Sequence, residues 1–431
     1  MMESPRLREL LHAVRARGSA AVDEFWDEII GSGMPLIEPG REPDRWLVTL
    51  LWREREPIAG VYALVNRLTD KGRVADGMMR RLSGTDVWFV TFDVADTLRS
   101  SYRFYPFGER DRFFGNGVPA HLDAKALMAR VMPDPHNPGS GSSGGRGFGS
   151  VLELPSAPSL AEWKQMEARP AGTLSAYDFT TATGADTYRI RQYIPAGPMP
   201  AGGLAMLVLL DAQRWFDDFN VPAAIDAAIR AGRCAPVGVI GVESPAAPQD
   251  RMRQLGANRR FVRMLADELI PFAESSGVRW AGRERRMLCG QSLGGLTALA
   301  AALWTPQVYG AVLAQSPSVW WRPDGSVNPN TYTDSSNSWL FEQFGAAAVG
   351  PVRILIDAGS NEGLLTEHLH RLQDMLSDRG FRSRLQVYTG GHDYACWAAA
   401  MMSGLAEPCG AMPADAPSRR GAGRSPASED R

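Results

Sequence analysis

Between Arg285 and Leu303 the chain runs from a short apolar strand pattern, Arg-Arg-Met-Leu-Cys, through Gly290-Gln291-Ser292-Leu293-Gly294-Gly295 into the helical pattern Leu-Thr-Ala-Leu-Ala-Ala-Ala-Leu. This passage constrains the fold more than any other. G-x-S-x-G between a buried strand and a helix is the signature of a nucleophile elbow, a strained turn that lifts a serine hydroxyl above the carboxyl edge of a sheet and faces it to a helix N-terminus. Small residues on either side of Ser292 are expected because the backbone closes tightly around the turn.

The surrounding pattern supplies the sheet. After about Ala157, strands and helices alternate. TYRIRQYIP, the continuous apolar run Leu204–Asp211, APVGVIGVE, RRMLCG, AVLAQSP, VRILIDAG and RLQVYTG read as strands. Helical patterns separate them at VPAAIDAAIRAG, about 261–272, after Ser292, and about 364–377. Alternation of this kind specifies a mostly parallel sheet with helices on both faces over about 156–410, and the elbow placed within it makes an α/β hydrolase domain the expectation.

The first part reads differently. Trp46–Arg53, Val61–Asn66, Asp86–Val94 and Ser101–Phe107 are short, rich in β-branched and aromatic residues, and separated by turns. They predict an all-β sandwich over 1–155, led by one short amphipathic helix carrying Leu7, Leu10, Leu11 and Val14 on one face. The Gly/Ser/Pro-rich run Pro133–Ser150 marks an irregular break, and 411–431, nearly without apolar residues, reads as a disordered tail.

Six histidines permit elimination of candidates for the base. His12, His121 and His136 precede the hydrolase pattern, in which histidine comes last. His368 and His370 fall inside the helix pattern, two apart, and so point away from one another rather than toward a shared metal. His392, in Thr-Gly-Gly-His-Asp after the final strand, is left as general base to Ser292. The carboxylate that orients it is expected after VRILIDAG, at Glu362 or Asp357, with Glu362 favoured; Asp393 adjoins the histidine and is poorly placed to hold its ring. Fold geometry gives the oxyanion donors as the N–H of Leu293 and that of Ala212 or Gln213.

Composition excludes several classes. The chain has 44% hydrophobic and 22% charged residues and a net charge of −2, so neither a nucleic-acid footprint nor a polybasic membrane patch is expected. No run approaches eighteen apolar residues, and the first twenty residues lack the apolar core of a signal peptide. The four cysteines are scattered, without a CxxC pair. The expectation is a cytoplasmic protein with reduced thiols, no cofactor and no metal site; the pattern is silent on oligomeric state.

LLDAQRW, GQSLGGL, AQSPSVWW and GGHDYACW together resemble the enterochelin (ferric enterobactin) esterases, in the esterase D-like branch of α/β hydrolases. LVTLLWR, GTDVW, SYRF and DPHNP look like the sandwich domain that precedes the hydrolase there, so the resemblance covers about 46–405. It implies hydrolysis of the ester bonds of a catecholate siderophore's cyclic trilactone, which destroys a preorganised iron ligand. The family's triad falls on Ser292, His392 and the loop containing Glu362. Two departures stand out: Ala212 where the strand-end LLDG has glycine, and Pro317 where glycine is more usual.

A ferric tris-catecholate is a flat-faced trianion, so cations and aromatic rings are expected to bind it. Arg251 matches a family arginine; with Arg253 it reads as lying in a loop before a helix, either facing catecholate oxygens or simply solvated. Asn258 matches a family residue but is equally suited to cap a helix. Trp320 and Trp321, with Trp215, are candidates for stacking, one of the first pair being expected in the core; Trp397 shares the ambiguity. Trp46, Trp52 and Trp88 read as sandwich packing. The competing functions are an esterase of the same branch acting on feruloyl-type or other small acyl esters, and a siderophore-binding protein without catalysis.

Overall fold

The computed structural model describes residues 4–119, 122, 124–137, 149–165, 167, 169–329, 332–333 and 338–409. His121, most of the Gly/Ser-rich run and the 411–431 tail lie outside them.

Among the described residues seven strands build the N-terminal part: β1 (Leu36–Pro39), β2 (Arg45–Arg53), β3 (Gly60–Val65), β4 (Arg80–Arg81), β5 (Val87–Ala95), β6 (Arg99–Phe107) and β7 (Ser150–Glu153). They form two antiparallel sheets, β1-β2-β5-β4 and β3-β6-β7. Val48 and Leu50 of β2 meet Val61, Ala63, Val65, Tyr102 and Phe104 of the other sheet, the packing expected when alternate residues of two sheets turn inward. Trp46, Trp52 and Trp88 lie half-buried against this core.

Two helices lead in, not one: Pro5–Arg17 and Ser19–Ser32. Gly18, at φ 63°, breaks the run, and the second helix carries Val22, Phe25, Trp26 and Ile29. With Leu7 and Leu10 these cover Leu51, Val87 and Phe89 on the outer face of the four-stranded sheet. Ser4 caps the first helix by accepting from the Leu7 N–H, and its own hydroxyl donates to Glu38 at 2.5 Å.

The described residues of the C-terminal part are built on eight strands: β8 (Thr173–Thr180), β9 (Thr187–Ile194), β10 (Ala205–Leu210), β11 (Val237–Val242), β12 (Arg286–Gln291), β13 (Ala311–Gln315), β14 (Arg353–Gly359) and β15 (Ser383–Tyr388). Their order is β15-β14-β13-β12-β10-β11-β9-β8. The six strands from β15 to β11 are parallel, while β9 and β8 add an antiparallel hairpin at one edge. β8 escaped the sequence reading because TLSAYDFT is largely exposed and lacks the apolar run of its neighbours. Helices Arg259–Met264, Leu293–Trp304 and Leu364–Asp378 cover one face, and Val221–Arg230 and Tyr394–Cys409 the other. Every residue of β10, β11 and β12 is buried, as central strands covered on both sides must be. The fold is an α/β hydrolase preceded by a β-sandwich. Among the described residues no helix is long and apolar enough to cross a membrane.

Candidate active site

The carboxyl ends of β10, β12, β13, β14 and β15 deliver Asp211, Ser292, Ser316, Glu362 and the His392 loop to one edge of the sheet. Ser292 sits at φ 58°, ψ −114°, a conformation costly for any side chain and sustained only by surrounding structure. Its N–H donates to Gln315 O at 2.8 Å, and its carbonyl accepts from Leu296 and Ser318 N–H groups at 3.0 Å each. A methyl at Gly290 would lie 2.3 Å from Gly294 O, and one at Gly295 3.0 Å from Gln315 O and from Pro317 Cα. At Gly294 the nearest atom to such a methyl is 3.5 Å away, so the two motif glycines are not equally required. The Ser292 hydroxyl lies 3.4 Å from that of Ser318.

His392 Nδ1 meets Glu362 Oε2 at 2.5 Å. The Glu362 side chain is fully buried, whereas His392 keeps about a quarter of its side chain exposed, 26%. Glu362 Oε1 accepts from the Ser316 hydroxyl at 2.6 Å and the Gly359 N–H at 2.9 Å. Burial by itself would raise this carboxyl; the His392 charge and the donors on both oxygens outweigh it and hold the group below its ordinary value. A carboxylate fixed in this way imposes one tautomer on the imidazole and leaves Nε2 unprotonated, the form a general base requires. Asp357, the other candidate acid, lies buried within β14, where its carboxylate accepts from Gln315 Nε2 at 3.3 Å. Asp393 caps the helix Tyr394–Cys409 by accepting from the Ala395 N–H.

Sequence reasoning passed over Ser316, and weighed Trp397 only as a ring for stacking on substrate or packing in the core. Ser316 adopts φ 43°, donates to Glu362 and accepts from Trp397 Nε1 at 2.9 Å. The Trp397 ring lies edge-on to His392, with centroids 4.8 Å apart. The available signal was position: Ser316 directly follows the apolar strand AVLAQ at the active edge. Below, buried amides run from Trp215 Nε1 to Gln291, from Gln291 to Gln315, and from Gln315 to the Trp397 carbonyl.

Leu293 opens the helix behind Ser292, and Ala212 and Gln213 open the helical turn after β10, so their N–H groups lack acceptors within their own helices. Gly241 of β11 leaves room for the Ala212 side chain: a methyl there would stand 2.7 Å from Ala212 Cβ. The Gln213 side chain is clamped to both backbone groups of Ser244 at 3.0 Å.

The substrate-binding candidates disperse. Arg251 and Arg253 lie within the helix Pro248–Leu255 rather than in a loop, since Pro248 starts it. Arg251 grips Asp211 with two bonds, 2.7 and 2.6 Å. Desolvation would lower its charge affinity, but the Asp211 carboxylate more than restores it. Arg253 is exposed and pairs with Asp250. Asn258 is a helix cap: its oxygen accepts from the Arg260 and Phe261 N–H groups. Trp215 is not a surface ring; it is fully buried against Trp163, Phe219 and Tyr394. Trp321 packs edge-to-face on Trp339, and Trp320 lies half-buried beside the same core. His368 is buried against Tyr332.

An α/β-hydrolase sheet carrying Ser292, His392 and Glu362 at its carboxyl edge defines a carboxylic ester hydrolase. Residues 181–407 match the family described as putative esterase, and 47–163 the enterochelin esterase N-terminal family. The chain is 35% identical to the iron(III) salmochelin esterase of Escherichia coli O6:H1, over 93% of this chain and 96% of that one. It is 27% identical to the iron(III) enterobactin esterase of Dickeya dadantii, covering 90% and 92% of the two. The enterobactin esterase of Shigella flexneri, crystallised in the presence of enterobactin, superposes with a TM-score of 0.74 at 25% identity, over 90% of this chain and 97% of that one. The ferric enterobactin esterase of Salmonella typhimurium gives 0.75 at 25% identity, over 90% and 98%. The chain belongs to the enterochelin esterase family.

Proposed function

We propose that this protein hydrolyses the ester bonds of a catecholate siderophore trilactone in the cytoplasm, opening the iron ligand. The observation that carries this is the joining of the Ser292, His392 and Glu362 constellation to a sandwich of the enterochelin esterase type in one chain. Ser292 Oγ attacks the lactone carbonyl while His392 takes its proton. The Leu293 N–H and that of Ala212 or Gln213 stabilise the oxyanion. His392 then protonates the departing seryl or threonyl hydroxyl, and water releases the acyl group by the same steps reversed. Nothing in this scheme calls for a cofactor; iron arrives inside the substrate. Arg253, Trp320 and Trp321, which keep contact with solvent, are the remaining candidates to meet the catecholate rim.

The test is a time course on ferric and iron-free enterobactin, followed by liquid chromatography and mass spectrometry, with Ser292→Ala alongside. Linear trimer, dimer and monomer are expected with the wild type alone. A trilactone that survives while simple aryl esters are cleaved would remove the siderophore from the proposal and leave the esterase.

A further inference from the structure

The loop that carries His392 is gripped from two sides, and one of them is the other half of the chain. The carbonyls of Thr389, Gly390, Gly391 and His392 are all hydrogen-bonded. Those of Gly390 and Gly391 accept from Asn361 N–H at 2.9 Å and Tyr388 Oη at 3.1 Å, both within the hydrolase. Those of Thr389 and His392 accept from the sandwich: Arg99 N–H at 3.1 Å and Asn66 Nδ2 at 3.1 Å. The next residue continues the pattern, for Asp393 Oδ2 accepts the Ser101 N–H at 2.5 Å. The hydroxyls of Thr97 and Thr389 lie 2.7 Å apart, and Cys396 Sγ donates to Arg99 O at 3.3 Å.

The packing is as close as the bonding. A methyl at Gly391 would stand 2.3 Å from Asn66 Oδ1, and one at Gly390 2.8 Å from Arg99 O, so both glycines of GGHD are needed for the sandwich to approach. Asn66 itself is rigidly held. Its N–H donates to Ser101 O and its carbonyl accepts from Ser100 Oγ. The turn after it has Arg67 at φ 59°, closed by Leu68 and Thr69 N–H groups on Val65 O and pinned by Thr69 Oγ1 and Tyr62 Oη. A stiff donor of this kind fixes the peptide it holds.

We propose that the N-terminal sandwich is a working part of the catalytic centre, with Asn66 a positioning residue that sets the His392 backbone and hence the approach of its imidazole to Ser292. This rests on His392 being the general base. The sandwich would therefore act on every ester the enzyme cleaves, including one too small to touch it.

The test compares Asn66→Asp, which keeps the side-chain volume and removes the donor, with wild type, His392→Ala and Asp393→Asn, on a short-chain chromogenic ester and on ferric enterobactin. Thermal midpoints verify folding. Asn66→Asp is expected to lower kcat about 10- to 100-fold on both substrates with KM nearly constant, and Asp393→Asn to do the same to a smaller degree. If Asn66→Asp does not fold, Asp393→Asn, which retains the cap on Ala395, reads the same relation. The proposal is overturned if the folded variant keeps wild-type kcat on the small ester, or if the loss is confined to KM for the siderophore. An active His392→Ala would instead remove the assignment of the base.

Discussion

The Ser316 hydroxyl donates to Glu362 Oε1 at 2.6 Å, on the oxygen that His392 leaves free. With the Gly359 N–H on the same atom, the buried carboxylate is supplied with donors on both sides and is held ionised. Its work in this site is orientation as much as charge.

Glu362→Gln is accordingly expected to fold and to lose about 10³- to 10⁴-fold in kcat, because an amide places an N–H against one of those donors and unsettles the tautomer. The same carboxyl has a signature in stability. Its folded-state value lies below the ordinary 4.5, so its contribution is fully present above that pH and is lost as pH falls through the depressed value. Urea midpoints of wild type and Glu362→Gln should differ at neutral pH and draw together in acid; a constant gap would show that ionisation is not what stabilises it.

Removing the Ser316 hydroxyl has two effects. Ser316→Ala leaves the Trp397 Nε1–H buried without its acceptor, a cost of about 1–3 kcal/mol, and frees one side of Glu362, for about a tenfold fall in kcat. Adding Trp397→Phe removes the orphaned donor, so the double variant should recover part of the lost stability in a thermal double-mutant cycle. Strict additivity would mean the two groups do not act together.

The two glycines of the elbow should separate cleanly. Gly290→Ala places a methyl 2.3 Å from Gly294 O and is expected to abolish activity and soluble expression together. Gly294→Ala meets nothing closer than 3.5 Å and lies in the first turn of a helix, so it should fold and gain about 0.5–1 kcal/mol in chemical denaturation. Equal damage from both would contradict the geometry.

Arg251 offers a third contrast. Asp211 is buried at φ 54° beside the turn carrying Ala212 and Gln213 and has the Arg251 fork on both oxygens. Arg251→Met should cost on the order of 3 kcal/mol by stranding that carboxylate. A residue serving the substrate alone would leave the thermal midpoint unmoved and change KM only.

What the sequence made legible follows from periodicity and from chain order. The apolar runs of β10 to β14 and the elbow between β12 and its helix are local patterns, readable wherever burial is uniform. The strand ends then place Ser292, Glu362 and His392 at one edge. What could not be read is what depends on packing between distant segments. Trp215 and Trp320 look alike as letters, yet one is sealed in the core and the other half-open. Arg251 clamped to Asp211 is settled by a partner 40 residues away, whereas the Asn258 cap, whose N–H partners are local, was one of the two readings the sequence offered. β8 failed the apolar test because an exposed edge hairpin carries little hydrophobic signal.

The bond from Asn66 to the His392 carbonyl joins positions 326 apart in the chain. The two halves of the chain are therefore not interchangeable modules: a hydrolase joined to a foreign sandwich keeps its histidine loop only if the new partner supplies the same donors to Thr389, His392 and Asp393.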